Sequence, residues 1–108
     1  MNIVAVTGAQ SGITYEQVAE VLDTYNKGQK ILQIVAGDRL GVERHALAYA
    51  ANRDLPFNEK DGYLLSKGME LFVDAIIFIA KEYKDKDLEA IAKTVTYNKI
   101  PEITIRIV

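Results

Sequence analysis

The chain contains no cysteine, a single histidine and only two prolines. Without cysteine there is no disulfide framework, no thiolate metal site and no thiol nucleophile, which fits a reducing compartment. One histidine, His45, makes no histidine metal cluster, so no metal site is expected. A strong charge of either sign is also missing: 13 Lys and Arg stand against 15 Asp and Glu, for a net charge of −2. That balance removes the bulk basic field on which nonspecific nucleic-acid binding rests. Long apolar runs are missing too. The longest, Ala75 to Ala80, is strand-sized and far short of a membrane span. No basic segment precedes the first apolar run, so no signal peptide is expected. The resulting expectation is a cytoplasmic protein with no membrane association, and nothing calls for a cofactor.

What is present is an ordinary globular balance, 49% hydrophobic and 26% charged over 108 residues. That length suits one domain with a real core, and residues 1–108 read as a single domain. Strand-like and helix-like segments alternate from end to end, the pattern of a parallel sheet covered on both faces. Ile3–Val6 is the first strand. Thr14 and Gln17 form a capping-box pair opening a helix, in which Val18, Val21, Leu22 and Tyr25 recur at helical spacing. Gly28 is suited to a left-handed stop. Ile31–Ala36 is apolar on both faces except at Gln33, as an inner strand should be. Val42 to about Asn52 is a second helix, whose Ala46, Ala48, Ala50 and Ala51 permit close approach to the sheet. Leu55-Pro56-Phe57 is a weak edge strand.

Tyr63 to Phe72 reads as a third helix with Leu65, Met69 and Phe72 inward, although Gly68 weakens it. Asp74–Ala80 is the central strand. Asp85 is placed to cap a fourth helix with Leu88, Ile91, Ala92 and Val95 on its apolar face. Pro101 precedes a last strand in which Ile103, Ile105 and Ile107 alternate with Thr104, Arg106 and Val108, as on an edge. Five parallel strands with right-handed crossovers give a three-layer α/β sandwich of order 3-2-1-4-5. A topological switch then falls between the first and fourth strands, where open α/β sheets bind ligands.

Two turns stand out. Thr7-Gly8-Ala9-Gln10-Ser11-Gly12 follows the first strand and Gly37-Asp38-Arg39-Leu40-Gly41 follows the second. Each joins a short apolar strand to a helix N-terminus through residues of little bulk, which leaves backbone N–H groups where a helix dipole favours negative charge. Both are expected on one rim of the sheet.

These residues resemble the SLOG superfamily, the Rossmann-like group that includes the LOG nucleotide phosphoribohydrolases, DprA and small proteins of the YspA type. Val4-Ala5-Val6-Thr7-Gly8 is similar to that group's opening strand and glycine turn. Ile34 through Arg44 is similar to its glycine–small–glycine–acid turn, and Asp74–Ile79 to its strand that starts on an acidic residue. The resemblance implies a Rossmann-like fold and a phosphate pocket. Four departures limit what the resemblance implies, for catalysis most of all, and one is Glu43 in place of a more usual aspartate. Lys81–Lys86 replaces a glycine-threonine turn, Ser66-Lys67 replaces an arginine-asparagine pair, and the LOG enzymes' long glycine-rich motif is absent.

The candidate ligand-binding residues are therefore Thr7, Gly8, Ala9, Gln10, Ser11, Gly37, Asp38, Arg39, Gly41, Glu43 and Tyr83. Arg39 offers a planar fork to phosphate. Glu43 is either a ribose contact, a general base or a favourable charge at a helix N-terminus. Tyr83 follows the central strand and is placed to stack on a base. Lys81, Lys84 and Lys86 interleave with Glu82, Asp85 and Asp87, which reads as a solvated loop.

The first expectation is a domain that binds a nucleotide or a nucleotide-derived phosphorylated metabolite. As the LOG resemblance implies, the alternative is an N-glycosidic hydrolase of nucleoside phosphates with Glu43 catalytic. A third reading is a protein-interaction module with a decayed pocket. A homodimer or higher homo-oligomer is compatible with all three. Charge argues against the single-strand DNA binding that kinship to DprA implies.

Overall fold

The computed structural model describes residues 2–108. They form β1 (Ile3–Gly8), α1 (Tyr15–Gly28), β2 (Gln33–Gly37), α2 (Val42–Asn52), β3 (Phe57–Lys60), β4 (Ala75–Ala80), α3 (Asp85–Asn98) and β5 (Glu102–Ile107). Every strand pair is parallel, in the expected order β3-β2-β1-β4-β5. The order follows from the crossovers. Helices α1 and α2 carry the chain outward from β1 on one face. The chain then returns across the other face to lay β4 beside β1, and α3 covers that second face.

Both faces of the inner strands are thereby buried, which is why they read as near-continuous apolar runs. Val4, Val6, Ile34, Ala36, Ala75, Ile77 and Ile79 meet α1 and α2 through Val18, Leu22, Ala46 and Ala50. Ala5, Val35, Ile76, Phe78 and Ala80 meet Ile91 of α3 together with Leu64, Leu65 and Leu71. Helices α1 and α2 are tied by Asp23. It accepts from the Tyr49 hydroxyl at 2.6 Å and from Arg53 at 2.9 Å. That phenol is pushed up to about 12, by burial first and by the carboxylate it faces second.

Thr14 caps α1 as expected: its Oγ1 accepts from the Gln17 amide at 3.1 Å and the Gln17 side chain accepts from the Thr14 amide at 2.9 Å. Thr14→Ala is expected to cost about 1 kcal/mol, read as a lowered urea midpoint with an unchanged slope.

Besides the third strand, which covers Phe57–Lys60 rather than Leu55–Phe57, three local expectations are corrected. First, residues 63–72 are not a helix. Single turns close from Ser66 N to Tyr63 O and from Met69 N to Ser66 O, and Gly68 sits at φ +80°, where a helix cannot continue. The Asn98 side chain accepts from Leu71 N and donates to Met69 O, supplying bonds a helix would have made internally. Leu65 is buried as expected, but Phe72 is 83% exposed. Second, Gly28 is the last residue of α1 without a left-handed φ, and Gln29 ends the helix in an extended conformation. Third, Asp87 rather than Asp85 accepts from the amide at the start of α3, Lys84 N, at 2.9 Å. On α3, Ile91 and Thr94 are the buried residues; Ala92 is exposed and Leu88 is 37% exposed.

Among the described residues no helix is long and apolar enough to cross a membrane.

Candidate functional site

The register Ile3↔Gln33 between β1 and β2, continued upward, sets Thr7 beside Gly37, so both glycine turns stand at the carboxyl rim of the sheet. They do different work there. The Gly37–Gly41 turn is packed against other chain segments. The Asp38 amide donates to Gly62 O at 3.2 Å, and the Asp38 carboxylate accepts from Gly62 N at 2.9 Å. A Cβ on Gly37 would overlap the Gly62 carbonyl oxygen, and one on Gly41 would overlap Ala9 O. Gly41 also has φ +92°, and the first amide of α2, Val42 N, donates to Ala9 O at 3.0 Å. These glycines are therefore required by the close approach of chain to chain.

Under this turn lies Glu43, 1% exposed. Its Oε2 accepts from the Thr7 hydroxyl at 3.0 Å and from the Leu64 amide at 2.9 Å, while Oε1 has no hydrogen-bond partner among the described residues. Burial raises its pKa above the usual carboxylate range; the Leu64 amide, the Thr7 hydroxyl and the Arg39 charge oppose that shift.

The crevice itself opens at the switch between β1 and β4 and encloses about 520 Å³. Gly8, Ala9 and Gln10 line one side, and Arg39 and Tyr63 line another. Lys84, Lys86, Asp87 and Ala90 come from the start of α3. Arg39 is held by two contacts: Nη2 donates to Gly8 O, and its guanidinium lies 3.5 Å from the centroid of the Tyr63 ring. Its Nε is buried without a hydrogen-bond partner among the described residues. Burial pushes the Tyr63 phenol up, and Arg39 opposes this. Arg39, Lys84 and Lys86 take part in no ion pair among the described residues. Past Ala9, whose amide donates to Ile79 O at 3.0 Å, the amides of Gln10, Ser11 and Gly12 donate to nothing among the described residues.

Of the expected site residues, Gly8, Ala9, Gln10 and Arg39 share the crevice wall. Thr7 and Glu43 lie buried beneath the rim, and Gly37, Asp38 and Gly41 form the packed turn beside it. Ser11 is exposed on the first loop, and Tyr83 is half-exposed outside the crevice lining. His45 packs edge-on against Tyr15, with centroids 6.2 Å apart. The helical spacing of residues 63–72 hides Tyr63 as the start of a helix, and its place just after Gly62 is the one local signal of a site residue. Interleaved acidic residues give Lys84 and Lys86 the sequence pattern of a solvated loop. The topology turns both toward the crevice, along with Glu82 and Asp87.

A second hollow of about 450 Å³ lies at the amino end of the sheet, lined by Ile3, Leu71, Phe72, Val73, Asp74 and Asn98. It has no cation, and the Asp74 carboxylate already accepts from Ile3 N at 2.8 Å. No group of three or more metal-ligating side chains is found among the described residues. Set against protein-family models, curated proteins and solved structures, the chain matches none.

Proposed function

We propose that this protein is a SLOG-like domain that binds a nucleotide or nucleotide-derived phosphorylated metabolite in the crevice between β1 and β4. The observation that carries the reading is the gathering of Arg39, Lys84 and Lys86, none of them in an ion pair among the described residues, around a crevice at the topological switch. The undonated amides of Gln10 to Gly12 add neutral donors suited to phosphate oxygens. Glu82 and Asp87 on the same lining leave room for selectivity toward sugar or base hydroxyls over bare phosphate.

Binding without turnover is the reading the geometry favours. A general acid or base must come within hydrogen-bond reach of the reacting atoms. Glu43 is 1% exposed, lies outside the crevice lining and already accepts two hydrogen bonds on Oε2. Its role here is to hold the Leu64 amide, and with it the neighbouring Tyr63, against the rim.

Calorimetric titration with nucleoside monophosphates, ADP-ribose and NAD tests the proposal. At least one is expected to give saturable heat, and Arg39→Ala is expected to weaken it about tenfold to a hundredfold, as loss of a charged hydrogen bond does. Raised salt should weaken it further. No heat from any member, with the protein folded, would refute the proposal.

A further inference from the structure

The two edges of the sheet are unlike. Each edge strand starts directly after a proline, but β3 is only four residues long and ends on Lys60, features that blunt an edge against pairing. β5 is six residues long and contains no lysine. Through its pairing with β4, Ile103, Ile105 and Ile107 fall on the α3 face, and Glu102, Thr104 and Arg106 on the face of α1 and α2. Ile103 and Ile107 are each 46% exposed. Among the described residues no strand lies beyond β5.

We propose that β5 pairs antiparallel with β5 of a second copy of this chain, about a twofold axis through Thr104 perpendicular to the sheet, making one ten-stranded sheet. Such an axis keeps like faces together, so only residues of one face can stand opposite each other. Centred on Thr104, the register sets Glu102 of each copy opposite Arg106 of the other, twice by symmetry. Ile103 then faces Ile105, and Thr104 faces itself. Moving the centre to Ile103 or Ile105 removes both charge pairs. Glu102 is ready for the role: its Oε1 accepts from the Tyr25 hydroxyl at 2.7 Å, and Oε2 has no partner among the described residues. Arg106 is exposed and in no ion pair among them. Opposite-charge cross-strand pairs stabilise an antiparallel ladder and like charges oppose it. Because β3 is blunted, the assembly closes at two copies and does not run on.

Sedimentation equilibrium of the full chain tests this. The expected mass is twice the 12.0 kDa of one chain. Arg106→Glu and Glu102→Arg are each expected to weaken the dimer about tenfold or more, and the two together to restore it. The Arg106 side chain is exposed and in no hydrogen bond or ion pair among the described residues, so Arg106→Glu should keep the wild-type unfolding midpoint of the monomer. In hydrogen exchange, the amides of Glu102–Ile107 should gain protection as concentration rises. A monomer at every concentration, or any assembly that ignores both single swaps, would overturn the proposal.

Discussion

Glu43→Ala is expected to lower the unfolding free energy by about 2–4 kcal/mol. Truncation leaves a cavity and strips the Thr7 hydroxyl and the Leu64 amide of their acceptor. The loss is tempered because the carboxyl itself is costly to bury and has one unpartnered oxygen. Glu43→Gln isolates that cost, since it keeps the shape and an oxygen for both donors. The sign is set by the raised pKa of Glu43. A carboxyl that holds its proton more tightly when folded contributes stability fully present below its unfolded pKa. That stability is lost as pH rises through the folded pKa. Urea unfolding from acid to neutral pH should therefore show wild-type stability falling over that window, with Glu43→Gln markedly flatter. Equal slopes would place the charge of Glu43 outside the stability balance.

Gly37→Ala is the second large effect. The added Cβ would overlap the Gly62 carbonyl oxygen and stand 2.7 Å from Glu43 Oε1. The obstacles are backbone and a fully buried side chain, so neither can swing aside. The β2 end and the turn after β3 must separate, breaking the reciprocal bonds between Asp38 and Gly62. A loss of about 1–3 kcal/mol is expected, as for other overpacked sites. Gly28→Ala is the matching control. Nothing lies within 4 Å of its Cβ position and its φ is not positive, so a gain of roughly 0.4–1 kcal/mol is expected. Thermal unfolding of the two variants side by side separates close approach from glycine content.

The architecture was legible because strand burial on both faces leaves an unambiguous mark. Runs such as Ala75–Ala80 have no polar interruption, and Pro56 and the alternation after Pro101 named the two edges. The 63–72 segment was not legible. Leu65, Met69 and Phe72 carry helical spacing, but the bonds that decide its path come from Glu43 and Asn98, 21 and 27 residues away in sequence. The same distance effect hid part of the candidate site. Glycines at Gly37 and Gly41 looked like phosphate turns, whereas the contacts that require them come from Gly62 and Ala9. Arg39 was visible as a turn arginine. The aromatic ring it rests on was not, because Tyr63 comes to it through a turn that local periodicity misread.

The central claim is that an anionic ligand sits at the switch between β1 and β4. Amide chemical shifts recorded while nucleoside monophosphates, ADP-ribose and NAD are titrated into labelled protein test it most directly. The account predicts saturable shifts confined to Gly8–Gly12, Arg39, Tyr63 and Lys84–Asp87, lost in Arg39→Ala. Shifts centred on the amino-end hollow at Asp74 and Asn98, or none at all, would contradict it.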